Sequence, residues 1–273
     1  MHRKIYLLIL CFITVSNIFA QQQSKTLSEK DQKKQERKQH IADLAKREEE
    51  GALIFNKQFL LGFKLNTDGW SAMYEHGKYK TITTTNTWFI EFGERKSHKE
   101  EKVSSDPFGT GFTFGNPFVY GKRNNFYNFN IGIGQQKLIG GKGEKNGVAV
   151  SAIYGGGFSA GLLKPYYVTA IIDGTTGETR DVKYEGPNDT LFLNSPISAV
   201  GFTKGIGETK FVPGLVAHAG LRFDYGRYNE LLSALEVGVS AEFYTQNMPI
   251  MVDAPEKKFF YNAYIAIEFG SRK

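Results

Sequence analysis

The chain has 273 residues, a single cysteine, 30 glycines, 22 phenylalanines and 14 tyrosines, and a formal charge of +6 at neutral pH. Lysines and arginines alternate with acids instead of forming a basic block, so nothing points to nucleic acid as a partner. Beyond the amino terminus no apolar run approaches the ~20 residues of a membrane-spanning helix, whereas glycine, aromatics and short alternating segments suit a β-barrel.

Residues 1–20 read as a secretory signal. His2, Arg3 and Lys4 give a positive start, Ile5 to Val15 an apolar run, and Ala20 a small residue ahead of Gln21. Cys11 lies inside that run, with Ile9 and Leu10 before it in place of the small residue that a lipidation signal wants. Removal of the signal would leave no cysteine for disulfide, thiolate or metal chemistry. It would also remove Arg3 and Lys4, taking the formal charge from +6 to +4.

Residues 21–57 form a separate stretch, SEKDQKKQERKQHIADLAKREEE at its centre, with Ile41, Leu44 and Leu53 as its sparse apolar residues. Ala, Glu, Lys, Arg and Gln favour helix, but the apolar stripe is thin. Two readings stand: a charged periplasmic helix or linker, or a helix that contacts an envelope protein partner.

From Gln58 the period becomes two. Phe59, Leu61, Phe63 and Leu65 share one face; Gly62, Lys64 and Asn66 share the other. Asn66-Thr67-Asp68-Gly69 signals a tight turn. A return strand, Trp70 to Lys78, sets Tyr74 against Glu75, and a third, Thr83 to Glu94, sets Trp88, Ile90 and Phe92 against Glu91, with Phe89 on the polar side. Arg95 to Arg123 reads as a long loop. In the fourth strand Tyr127, Phe129, Ile131 and Ile133 alternate with Asn128, Asn130, Gly132 and Gly134, and Lys137 to Gly147 reads as a turn.

Val148 to Leu163 keeps its parity through Gly155-Gly156-Gly157, which predicts one strand rather than two. Asp173 to Thr209 reads as a second loop, with Tyr166 to Ile172 extending the strand before it. Leu215, Ala217, Ala219, Leu221 and Phe223 alternate with His218, Arg222 and Asp224. After a turn, Leu235, Val237, Val239, Ala241 and Phe243 alternate with Glu236 and Glu242. A third loop holds Pro249 and Pro255, and Tyr261, Ala263, Ile265, Ile267 and Phe269 close the chain against Asn262, Tyr264 and Glu268.

The expectation is an all-β, antiparallel up-and-down transmembrane barrel over residues 58–270, with about eight strands and ten as the alternative. Long loops fall on connections three, five and seven and short turns on two, four and six, the asymmetry of outer-membrane barrels; connection one is outside but tight.

Volume assigns the faces. An eight-stranded bore admits one packed layer of side chains, which suits glycine, Ser, Thr and Asn but not the large residues of the other face. Lys64, Glu75, Glu91, His218, Arg222, Asp224, Glu236, Glu242 and Glu268 are therefore expected to form a polar network in the lumen. A cation at mid-depth in lipid would cost about 2–4 kcal/mol. Phe63, Trp88, Tyr127, Phe129, Ile131, Val239, Phe243, Ile267 and Phe269 are expected to face the membrane. Trp70, Trp88, Tyr74, Tyr127, Tyr154, Tyr225, Phe223 and Tyr261 read as interfacial anchors.

The closing segment Asn262-Ala263-Tyr264-Ile265-Ala266-Ile267-Glu268-Phe269 resembles the carboxy-terminal assembly signal of outer-membrane proteins. Two departures stand out: Tyr264 occupies the usual glycine position, and Gly270 to Lys273 follow the aromatic. Over residues 58–269 the pattern resembles the small outer-membrane β-barrel proteins common in Bacteroidota. That resemblance implies a Gram-negative outer membrane, with lipid and the barrel-assembly machinery as partners.

His218 with Arg222 and Asp224 offers a His–carboxylate pair for acid–base work, against the reading of a space-filling salt-bridge network. His76 and His98 lack ligand spacing, and no G-x-S-x-G elbow occurs. GGKGEKNG lacks the end of a phosphate loop, and Asp173-Gly174-Thr175-Thr176-Gly177-Glu178 misses the calcium spacing. The aromatic loop Phe108 to Phe114 reads equally as an adhesive surface or as loop packing. No metal or cofactor is expected. The leading expectation is a non-enzymatic barrel with a structural, adhesive or envelope-assembly role. The alternatives are a small channel or transporter component, and a membrane-embedded hydrolase or acyltransferase using His218.

Overall fold

The computed structural model describes residues 56–81, 83–106, 114–142, 147–226 and 231–273, together with Lys34, which is helical and exposed. The proposed signal and nearly all of the charged stretch 21–57 lie outside the described residues, as does most of the Phe108 to Phe114 loop.

Eight strands form a closed antiparallel barrel: β1 (Lys57–Asn66), β2 (Gly69–Thr81), β3 (Thr84–Arg95), β6 (Asn124–Gly140), β7 (Ala149–Pro165), β11 (Lys210–Asp224), β12 (Leu231–Met248) and β13 (Lys257–Arg272). Their order is β1-β13-β12-β11-β7-β6-β3-β2, and pairing of β1 with β13, Phe63 opposite Ile267, closes the ring. Closure leaves the barrel sheet itself without an unpaired edge strand. The eight-strand expectation holds, and the glycine-rich segment is a single strand, β7.

Local sequence explains the corners. A Cβ on Gly69 would stand 1.9 Å from the Glu94 carbonyl oxygen, so only glycine fits the β1–β2 turn. Pro165, which has no N–H to donate to a ladder, is the last residue of β7.

Three boundaries differ from expectation. The strand β6 runs to Gly140, into the stretch read as a turn, because Lys137 pairs with Thr84 of β3, and Leu138 and Gly140 pair with Ser151 and Val150 of β7. Residues after Pro165 do not extend β7; they start β8 (Tyr167–Asp173), which pairs with β9 (Glu178–Lys183) and β10 (Pro196–Ala199) in a separate sheet. The loop after β3 likewise folds, as β4 (Lys102–Ser105) and β5 (Phe114–Val119).

These loop strands and the short helix α1 (Thr190–Asn194) share a small core of Phe118, Val168 and Phe192, with Tyr166, Val182 and Tyr184 packed on it. Asp189 caps α1 by accepting from the Phe192 N–H at 3.0 Å. The β8–β9 turn uses the Asp173 carboxylate, which accepts from the Thr175 N–H at 2.8 Å and the Thr176 hydroxyl at 3.1 Å. Those bonds hold its charged form below the usual carboxylate range.

Candidate functional site

Alternation sends every second side chain of each barrel strand inward, and the interior is ionic. Arg222 is 1% exposed, whereas Ile133 on the outer wall is 75% exposed. Lys64, Glu75, Glu91, His218, Arg222, Asp224, Glu236, Glu242 and Glu268 are all buried inside the ring. On the outer face Phe63, Trp88, Phe129, Ile131, Val239, Phe243, Ile267 and Phe269 are exposed, and Tyr127 is half-buried.

The inward groups are stacked in layers. Nearest the loop end lies an apolar cluster of Phe126, Leu163, Val212, Tyr244 and Met248. Below it Arg95 donates to Glu242 at 2.6 Å and to Asp68 at 3.1 Å. Glu242 also accepts from the Asn128 amide at 2.9 Å and the Tyr244 hydroxyl at 2.8 Å. In the next layer Lys64 meets Glu91 at 2.9 Å and lies 4.6 Å from the Tyr264 ring centroid.

The Arg222 guanidinium then gathers three carboxylates from three strands: Glu75 at 2.9 Å, Glu236 at 2.8 Å and Glu268 at 2.6 Å. The Tyr264 hydroxyl donates to Glu236 at 2.7 Å, and Gln136 accepts from Arg222 at 3.2 Å. Toward the strand ends that carry the termini, Asp224 pairs with Arg272 at 2.5 Å and Lys142 at 3.4 Å. Leu60, Leu232 and Ala234 form a second apolar cluster there. Fixed, multiply bonded ions of this kind lock neighbouring strands, because removal of one partner leaves an uncompensated buried charge.

His218 does not form the His–carboxylate pair considered from sequence. Arg222 and Asp224 are taken up by other partners, and the imidazole meets the Phe89 ring edge-on, centroids 4.8 Å apart. Among the described residues no group hydrogen-bonds to its ring. A Cβ on Gly155 would lie 3.0 Å from His218 Cε1, so the ring rests against bare backbone.

Arg95, Arg272 and Lys142 belong to the network but were not foreseen. By composition Arg95 belongs to a loop, Lys142 to a turn, and Arg272 to the tail past the closing aromatic. Parity held the missing signal: Arg95 follows Glu91 and Gly93 on the inward face, and Arg272 follows Glu268 and Gly270. Among the described residues no group of His, Cys, Asp and Glu is arranged to hold a metal ion.

The chain matches no family model and no curated protein. Among solved structures it is similar to Neisserial surface protein A, at 8% identity over 80% of this chain and 96% of that one, with a TM-score of 0.38. It is also similar to the attachment invasion locus protein of Yersinia pestis, at 9% identity over 81% and 100%, with a TM-score of 0.35. A third similarity is to a major outer membrane protein from Thermus thermophilus, at 10% identity over 78% and 98%, with a TM-score of 0.38.

Proposed function

We propose that this chain is an integral barrel of a Gram-negative outer membrane with a non-enzymatic structural, adhesive or envelope-assembly role. The observation that carries the reading is the inverted polarity of the wall: paired ions within, and Phe158 and Ile133 73% and 75% exposed without. In water such a surface would be a large apolar liability; in a bilayer it is the face that lipid requires. Opposite polarity would be expected of a soluble barrel.

The folded unit at the loop end, with its own core around Phe118, Val168 and Phe192, favours a presented surface over a set of loose connections. On this reading β1 starts in the periplasm, the stretch 21–57 reaches an envelope partner from that side, and the closing strand serves the assembly machinery. A small barrel of the Bacteroidota type is the finer form of the proposal.

Membrane fractionation tests it. The chain is expected to resist carbonate extraction, to need detergent, and to migrate differently on a gel before and after boiling. Release by carbonate or salt would overturn the membrane reading. A channel is the weaker alternative, since ion clusters and two apolar clusters occupy the bore. Reconstituted protein is expected to give no steady conductance across a planar bilayer.

A further inference from the structure

A cleft of about 330 Å³ opens at the loop-end rim, between the segment that follows β3 and the β12–β13 connection. Its edge carries Lys96, His98, Lys99 and Lys257, all exposed, and its floor is apolar, with Met248, Ile250 and Phe260. The cations are only partly spoken for. Lys96 lies 3.7 Å from Glu94, Lys99 donates to the Asp253 carbonyl oxygen at 2.6 Å, and Lys257 has no ion pair among the described residues. Asp68 also lines the cleft, but its carboxylate accepts from Arg95 at 3.1 Å. The cleft therefore presents uncompensated positive charge above hydrocarbon.

Phe259 and Tyr261 line the cleft and also an apolar hollow of about 480 Å³ on the outer face, bounded by Phe158, Leu215 and Phe243 over Ala217 and Ala241. The Phe259 ring stacks on Tyr261 at 5° and lies 4.6 Å from Phe243. The cationic recess and the apolar hollow thus lie next to each other and share Phe259 and Tyr261. A lysine cluster at a membrane edge attracts anionic headgroups, ammonium–phosphate bonds are charge-assisted, and the hollow matches an acyl chain.

We propose that this rim cleft binds the headgroup of a phosphate-bearing anionic membrane lipid, with an acyl chain seated in the hollow beneath. The proposal rests on the membrane reading, because it needs the outer wall to meet acyl chains. A soluble acidic ligand would use the lysines but not the hollow.

The test is native mass spectrometry of the full-length barrel in detergent micelles, titrated with dioleoyl phosphatidylglycerol or dioleoyl phosphatidylcholine. Boiled and unboiled gel migration checks the fold of every variant. Wild type is expected to retain phosphatidylglycerol about tenfold better, the equivalent of about 1.4 kcal/mol. Lys96→Gln, Lys99→Gln and Lys257→Gln combined should erase the preference. Ala241→Trp, or Ala217→Leu should the first not fold, should weaken retention of both lipids and leave their ratio unchanged.

Equal retention of the two lipids by a folded wild type would overturn the proposal, as would a triple variant that keeps the preference or a filled hollow without effect. Full displacement by millimolar inorganic phosphate would also overturn it, by showing a soluble-anion site. Loss of the gel shift in wild type would instead overturn the membrane reading.

Discussion

The β6–β7 hairpin and the remaining six strands treat the interior in opposite ways. Between Phe126 and Leu138, and between Ala149 and Leu163, no inward residue ionises; Gly132, Gly134, Gly155, Gly157 and Gly161 leave much of that arc as bare backbone. Each of the other six strands sends at least one ionised group inward, from Lys64 on β1 to Arg272 on β13. The two arcs depend on each other. A bore of eight strands cannot hold large side chains from every direction, so the glycine arc provides the room into which the opposite arc reaches. A Cβ on Gly132 would stand 2.6 Å from the Phe89 ring, and one on Gly161 would stand 2.6 Å from Met248 Cε.

Breaking the charged arc has the largest expected effect. Arg222→Met keeps the bulk but strands Glu75, Glu236 and Glu268, at a cost of about 3–5 kcal/mol. The urea midpoint of the folded gel band in lipid vesicles reads this. An unmoved midpoint would show that water or protons already neutralise those carboxylates.

Changing the outer wall comes next. Val239→Arg should cost about 2–4 kcal/mol in a bilayer if that position lies near mid-depth. A soluble barrel would barely register it, since Val239 is 60% exposed. The same midpoint decides.

Filling the glycine arc ranks third. Gly161→Val presses on Met248 and the Tyr244 ring and should cost about 1–3 kcal/mol. Because Met248 Cε is the nearest atom, Met248→Ala in the same chain should restore part of that loss in a double-mutant cycle. Purely additive effects would show that Gly161 does not make room for Met248.

The smallest effect lies outside the barrel. In the loop unit Lys183 and Tyr167 donate to the Glu208 carboxylate, which holds it below the usual carboxylate range. A depressed carboxylate favours the fold above its unfolded pKa, and the contribution fades as pH falls through the folded value. At an exposed, solvent-screened pair the thermal midpoint should not move. Carbon-detected NMR titration is expected to place Glu208 low, and Lys183→Gln should return it toward the ordinary range.

Much of this was legible in the chain. Period-two alternation reports which side chains share a face, so the strand count and the inward placement of residues such as Lys64, Glu91 and Glu268 follow from neighbours two apart. The Gly155-Gly156-Gly157 run did not hide β7, because parity survives where side chains are missing. Strand ends were harder. Lys137 to Gly140 and Arg95 look like turn and loop by composition, and only pairing with another strand makes them ladder residues.

Sequence alone settled the class of the molecule, since a repeating two-residue period with one apolar face has few stable outcomes. Tertiary structure decided the partners. Arg222 meets Glu75, 147 positions away, because strand register and barrel closure bring the two to one level. The segments after Arg95 and Pro165 fold because two loops, distant in sequence, bury Phe118 against Val168 and Phe192. Local periodicity carries no information about such contacts, which exist only once the ring is shut.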